Sequence, residues 1–153
     1  MLKIVGFGSG AKDNMTLEAF AAISDARLIV GYKTYVNILK QYFPEKEYYS
    51  TDMMQEKDRC QYAIDKAEEG LEVVLVCSGD SGIYGMAGLV YELAQKRVQI
   101  KVISGVTAAS SGAAILGAPL SHDFAVISLS DCMTPWELIK KRVRAAADSD
   151  MVM

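Results

Sequence analysis

Histidine, tryptophan and proline are scarce in this chain, with one, one and three residues among 153. The three cysteines, Cys60, Cys77 and Cys132, are odd in number and widely spaced, and none forms a Cys-x-x-Cys pair. A structural zinc site wants four ligands at short spacings, so no protein-bound metal is expected. Unpaired thiols fit a reducing, intracellular compartment. Positive charge is not in excess either. Sixteen Lys and Arg against 19 Asp and Glu leave a net charge of -3, which excludes a generally basic nucleic-acid binder. No apolar run approaches the ~18 residues of a membrane span. The N-terminus, Met1-Leu2-Lys3-Ile4-Val5-Gly6, lacks the regions of a signal peptide. The expectation is a soluble, cytoplasmic protein with no nucleic-acid and no membrane partner.

What is present favours a folded core. The chain is 51% hydrophobic and 23% charged, a balance that argues against disorder. Its length fits one domain, or one and a fraction. Short apolar runs alternate with helical patterns, which signals parallel strands joined by crossover helices. Strands are expected at 2–7, 27–31, 71–77 and 98–103. Helices are expected at 16–25, 34–43, 55–69, 83–97 and 107–116, with Gly70 closing the third. After Gly117-Ala118-Pro119 the pattern restarts with a strand at 124–129 and a helix from Thr134 to about Ala147. Thr134 is expected at its cap, Pro135 at its first position and Glu137 completing a capping box. Met151-Val152-Met153 reads as the opening of another strand. The fold expected is α/β: a domain over 1–116 with a mostly parallel sheet, then the incomplete start of a second α/β domain over 117–153.

In open α/β sheets ligands bind beyond the carboxyl ends of the strands. Three strands here end in glycine-bearing turns: Gly6-Phe7-Gly8-Ser9-Gly10, Ser78-Gly79-Asp80-Ser81-Gly82 and Ser104-Gly105-Val106-Thr107. Glycine lets a backbone approach a ligand closely or take positive φ. One such turn is commonly a tight connection; three on one sheet edge point to a shared cleft. A dinucleotide fold is the obvious rival, and it fits poorly. Gly6-x-Gly8-x-Gly10 is not G-x-G-x-x-G, and the second strand ends Val30-Gly31-Tyr32-Lys33 without the acid that holds ribose hydroxyls.

Asp80 is the most suggestive acid, as a ligand acceptor, a base, or a turn residue bonding its own backbone. His122, beside Asp123, is a packed residue or a catalyst. Lys140, Lys141, Arg142 and Arg144 form a solvated face or a surface that steers an acidic substrate. Tyr32, Tyr35, Tyr48, Tyr49 and Tyr84 pack in the core or stack on a flat ligand.

Taken together these motifs resemble the tetrapyrrole (corrin/porphyrin) methylases. Gly-Phe-Gly-Ser-Gly, then Met15-Thr16-Leu17 and Val30-Gly31-Tyr32-Lys33-Thr34-Tyr35, are similar to that family's opening. Ser78-Gly79-Asp80-Ser81-Gly82-Ile83-Tyr84-Gly85-Met86 resembles its cofactor loop. Leu116-Gly117-Ala118-Pro119-Leu120, His122-Asp123-Phe124 and Ile127-Ser128-Leu129-Ser130-Asp131 resemble its precorrin-3B or cobalt-precorrin-3B C17-methyltransferase branch.

The resemblance implies a two-domain enzyme of cobalamin biosynthesis, a homodimer. It would use S-adenosyl-L-methionine to methylate C17 of a tetrapyrrole precorrin, with ring contraction. By the same resemblance Gly79, Asp80, Ile83, Tyr84, Thr107, Ala108, Leu129 and Ser130 would meet the cofactor. Gly8, Ser9, Gly10, Tyr32 and His122 would line the substrate side, with Asp80 and His122 as candidate catalytic residues. Ser9, Ser81 and Ser104 stand where the family usually has proline, so each loop gains freedom and a hydrogen-bonding group. The family also continues through a second sheet where this chain ends, so the expectation is an incomplete active site. Two other readings stay open: a non-catalytic tetrapyrrole- or partner-binding module, and a nicotinamide-dependent Rossmann oxidoreductase.

Overall fold

Five apolar or alternating segments pair as a wholly parallel sheet in a computed structural model that describes residues 1–153. They are β1 (Leu2–Gly6), β2 (Leu28–Tyr32), β3 (Glu47–Thr51), β4 (Val73–Cys77) and β5 (Ile100–Ile103), in the order β3-β2-β4-β1-β5. Registers run Leu2 to Val73 and Ile100, and Leu28 to Val73 and Glu47. Helices α1 (Leu17–Asp25), α2 (Lys33–Leu39), α3 (Glu56–Glu68) and α4 (Ala87–Ala94) connect the strands, and α5 (Ala108–Ile115) follows β5. No helix is long and apolar enough to cross a membrane.

Strand residues alternate between two apolar layers, as a period of two requires. Leu2, Ile4, Val30, Leu75 and Cys77 pack with Cys60, Ala63 and Ile64 of α3 and with Ala87 and Val90 of α4. Val5, Ile29, Val74, Val76 and Ile103 pack with Ala19, Ala22 and Ile23 of α1 and with Leu39 at the end of α2. Both faces are therefore covered, as parallel sheets need. Each fully buried aliphatic side chain adds about 1.5–3 kcal/mol of transfer free energy.

This layering fixes where a ligand would go. The chain leaves β1 toward α1 on one face and leaves the adjacent β4 toward α4 on the other. Neighbouring strands whose connections depart to opposite faces form a switch point, and the crevice opens beyond their carboxyl ends. The strand order also separates this sheet from a Rossmann dinucleotide fold, in which the first strand lies next to the second. Here β4 stands between them.

Several elements differ from expectation. β3 was not expected; Glu47-Tyr48-Tyr49-Ser50-Thr51 is a half-exposed edge strand whose polar content hides its alternation. The helix expected over 83–97 is confined to Ala87–Ala94. Tyr84 at φ 52° breaks it at one end, and Gln95 and Lys96 at φ 46° and 68° break it at the other. Gly70, at φ 89°, does close α3, donating to the Ala67 carbonyl at 3.1 Å.

The chain divides into two compact units, Met1–Ala108 and Ala109–Met153. The division falls at the start of α5, whereas the sequence pattern puts the boundary beyond its end. In the second unit the strand expected over 124–129 is a single parallel bridge, Phe124 to Val152. The amide of Ala125 donates to the carbonyl of Val152 at 2.8 Å, and that of Val152 to Asp123 at 3.1 Å. One bridge suffices to align the ends of a β-α-β unit around α6 (Trp136–Asp148) but makes no ladder. The capping box at the start of α6 is corrected as well. Pro135 is the cap residue, no side-chain cap bond forms, and Glu137 pairs with Lys140 instead. Proline can occupy the cap because no amide is needed there.

Candidate functional site

The loops after β1, β4 and β5 meet at backbone distance. Gly8 and Gly79 form an isolated antiparallel bridge just beyond the parallel strands. The amide of Gly8 donates to Gly79 at 3.1 Å and the amide of Gly79 to Gly8 at 2.8 Å. Gly8 and Gly79 adopt φ of 67° and 62°, the left-handed region that favours glycine. A Cβ on Gly105 would stand 2.1 Å from the Gly79 carbonyl oxygen and 2.4 Å from that of Gly6. A Cβ on Gly6 would stand 2.6 Å from the same Gly79 oxygen. Three main chains thus converge with no room for a side chain.

Asp80 clamps this arrangement. One carboxylate oxygen accepts from the amides of Gly82 at 2.7 Å and Ile83 at 3.2 Å, and the other from Gly105 at 3.0 Å. The first pair is the Asx-turn geometry expected of a turn aspartate. The third bond ties the post-β4 loop to the post-β5 loop. Ser81, next in the chain, is fully buried, and its hydroxyl reaches the carbonyls of Ile103 at 3.1 Å and Ile4 at 3.4 Å. Its side chain therefore roots the loop between the end of β5 and the middle of β1.

The other serines of interest are engaged too. Ser9 accepts from the Asn14 side-chain amide at 3.0 Å. The Ser104 carbonyl accepts from the Thr16 hydroxyl at 3.2 Å, and the Thr16 hydroxyl oxygen in turn caps α1 by accepting from the Ala19 amide at 3.1 Å. At Ser9 the side chain itself makes the bond, whereas at Ser104 it is the main-chain carbonyl, which a proline would also offer.

Of the residues expected to meet the cofactor, Gly79, Asp80, Thr107 and Ala108 come together. A Cβ on Gly79 would lie 3.6 Å from the Ala108 amide nitrogen and 3.7 Å from the Thr107 Cα, in ordinary contact. Ile83 and Tyr84 continue the same loop, both exposed, with Tyr84 in the left-handed region. Of the substrate-side residues, Gly8 is at the convergence. Gly10, at φ 98°, packs its Cα side toward Ile38 and Phe7. Tyr32 ends β2 and stands edge-on to Tyr35, centroids 5.2 Å apart.

Leu129, Ser130 and His122 lie in the second unit. Leu129 is exposed in irregular chain, the Ser130 amide donates to the Ser128 hydroxyl at 3.3 Å, and His122 is exposed near the Phe124 bridge.

Electrostatics are mild. The thiols of Cys60 and Cys77, both in the α3 layer, are pushed up by burial to about 12 and about 11. They are poor nucleophiles as a result. Among the cysteines only Cys132 is exposed. Lys141, Arg142 and Arg144 on α6 are exposed, whereas Lys140 is partly occupied by Glu137.

Gly6 and Gly105 as steric elements, Ser81 as an anchor and the hydrogen bond from the Ser78 hydroxyl to that of Tyr35, at 2.8 Å, were not expected from the sequence. The glycines were signalled by their place immediately after apolar strand runs. Ser81 carried no signal beyond its position between two loop glycines.

Comparison with known proteins places these features in context. Residues 1–153 match the family model of the Tetrapyrrole (Corrin/Porphyrin) Methylases. The chain is 48% identical over 156 residues to a probable cobalt-factor III C(17)-methyltransferase of Salmonella typhimurium, covering all of this chain and 65% of that protein. It is 39% identical over 158 residues to a precorrin-3B C(17)-methyltransferase of Sinorhizobium sp, covering 99% of this chain and 62% of that one. The crystal structure of the methyltransferase CobJ superposes with a TM-score of 0.90 at 38% identity, over 98% of this chain and 64% of that one. The chain thus spans just under two thirds of the length of these relatives.

Proposed function

From the premise that this chain belongs to the tetrapyrrole (corrin/porphyrin) methylases, we propose that it serves S-adenosyl-L-methionine-dependent methylation of a tetrapyrrole in cobalamin biosynthesis. The carbon proposed is C17 of cobalt-precorrin-3B or precorrin-3B, with ring contraction. The observation that carries this reading is the side-chain-free convergence of Gly6, Gly8, Gly79 and Gly105 at the β1/β4 switch point.

The residues present fit the cofactor. At Gly79 the Cβ position meets nothing closer than 3.6 Å, and the start of α5 at Thr107 and Ala108 lies beside it, so a zwitterionic amino-acid group can come near this backbone. Ile83 and Tyr84 would flank it with exposed apolar surface. When bound, S-adenosylmethionine supplies an activated methyl group on a positively charged sulfur. The protein's task is then mainly to bind and align, which is worth several kcal/mol of barrier when donor and acceptor meet in line.

Asp80 acts in this reading chiefly as a clamp, since both carboxylate oxygens already accept amide hydrogens. His122, the one imidazole of the chain, is left as the candidate proton carrier. Gly8, Ser9, Gly10 and Tyr32 would form the substrate wall. The exposed cations of α6 would attract the carboxylates of a tetrapyrrole. Residues 117–153 would open the second α/β domain, and the protein would work as a cytoplasmic homodimer.

Four relatives named for cobalt-factor III reach 43–48% identity, against 39% for a relative named for precorrin-3B. That difference favours the cobalt-bearing macrocycle as substrate, the cobalt entering as part of the substrate. Calorimetric titration with S-adenosylhomocysteine, followed by a methyl-transfer assay with both macrocycles, tests the reading. Binding and transfer are expected. A protein that binds the macrocycle but neither S-adenosylhomocysteine nor S-adenosylmethionine would instead be the non-catalytic module.

A further inference from the structure

Tyr35 has no task in the reading above, yet one side chain here touches the ends of three strands. It lies in the first turn of α2. Its hydroxyl is 2.8 Å from the hydroxyl of Ser78, the first residue past β4. Its ring meets Phe7, the first residue past β1, edge-on at 5.5 Å and 70° between planes. It meets Tyr32, the last residue of β2, at 5.2 Å and 87°. β2, β4 and β1 are consecutive in the sheet, so these contacts span the lip of the crevice. Ser78 adjoins Gly79, which bonds Gly8 across the same lip.

We propose that Tyr35 is a positioning residue that locks the Tyr32 end of the crevice to the 78–82 loop, so that the two sides of the cleft hold one register. The identity of the ligands rests on the methyltransferase reading; the lock does not. Two edge-to-face ring contacts hold the side chain in place whether or not the hydroxyl is present. The hydroxyl pair adds direction, fixing which way the first residue of the loop faces. Because that pair is exposed, water can replace it, and its loss should loosen the loop without unfolding the core.

The test is a cycle of Tyr35→Phe, Ser78→Ala and the double variant, read in two ways. In the ligand-free protein, amide hydrogen exchange over residues 78–82 should rise about two- to tenfold in each single variant, the range one neutral hydrogen bond supports. Exchange within β4 should not change. The double variant should exchange no faster than either single one, since both remove the same contact. Affinity for S-adenosylhomocysteine should fall by a similar factor with the same non-additivity. A merely structural role in folding would speed β4 and the 78–82 loop together. Unchanged loop exchange in Tyr35→Phe, or additive effects in the double variant, overturns the lock. Loosened, non-additive exchange in a protein that binds no S-adenosylhomocysteine upholds the lock and removes the methyltransferase reading instead.

Discussion

Gly8 and Gly79 exchange a pair of main-chain hydrogen bonds, 3.1 and 2.8 Å long, each two residues beyond the strand that carries it. Within the sheet, β1 and β4 run parallel and share bonds in the slanted parallel pattern. Past the strand ends the two loops turn to face each other and pair antiparallel. Both residues take positive φ to do so. The pairing brings their main chains close enough that a third loop, carrying Gly105, seats against them. The candidate cleft is therefore a product of backbone packing before it is a set of side chains.

That order of causes gives a sharp prediction for Gly105→Ala. The added methyl would meet only main chain, at 2.1 and 2.4 Å, and main chain in three anchored loops has little room to move. A loss of about 2–4 kcal/mol in stability is expected, the scale of severe overpacking. Binding of S-adenosylhomocysteine should fall with it. Gly88→Ala is the control: nothing lies within 4 Å of its Cβ, and it sits in α4. There alanine should add about 0.5–1 kcal/mol. Urea unfolding of the two variants should shift in opposite directions.

Asp80→Ala and Asp80→Asn separate the clamp from a base. Alanine strands three amide donors, and asparagine turns an NH2 group toward either Gly105 or the Gly82–Ile83 pair. Both variants should lose cofactor affinity at least tenfold. Asparagine should keep the larger share of stability, because it still accepts on one side. If Asp80→Asn bound S-adenosylhomocysteine like the parent and lost only turnover, the carboxylate would be acting as a proton carrier.

How far the site could be read from residue order depended on what held it together. Runs such as Leu71–Cys77 and Leu2–Phe7 announce buried parallel strands, and both formed with ends trimmed by one or two residues. β3 stayed hidden because an edge strand of Glu47, Tyr48, Tyr49, Ser50 and Thr51 needs only half an apolar face. The start of α4 was hidden by Tyr84, whose left-handed φ is set by the loop and has no signature in a tyrosine. Glycines after strands marked the cleft, but which of them touch depends on strand order, and order is a long-range property. Thr134 looked like a cap and was not, since Pro135 already supplies the fixed φ that starts α6.

Ser81→Ala isolates the buried anchor. The hydroxyl is fully enclosed and donates toward two carbonyls of neighbouring strands, Ile103 at the end of β5 and Ile4 in the middle of β1. Removing it deprives those acceptors of a donor where water does not replace it, at a cost of about 1–2 kcal/mol. The alanine methyl fits the same space, so the loop should stay in place. Thermal unfolding should report the loss while S-adenosylhomocysteine affinity changes less than twofold. A large loss of affinity at parental stability would mean that Ser81 shapes the bound state and does more than anchor the fold.

Cys60 and Cys77 give the alkaline limit of stability. Burial raises their thiols from 9.0 to about 12 and about 11. A folded-state value above the unfolded one means that the native chain holds its thiol protons more tightly. The resulting stability is complete below about pH 9 and drains as pH rises through the folded values, because the unfolded thiols ionise first. Between pH 9 and 11 each thiol contributes a fall of up to about 1.4 kcal/mol per pH unit. Urea midpoints measured across that range should decline, and the decline should be shallower in Cys60→Ala and in Cys77→Ala. The same burial predicts thiol reactivity. At pH 8 in native buffer only Cys132, the exposed thiol, should react with a chromogenic disulfide at a solution-like rate. The other two should appear once urea opens the sheet, and fast modification of all three in the native protein would contradict the enclosed α3 layer.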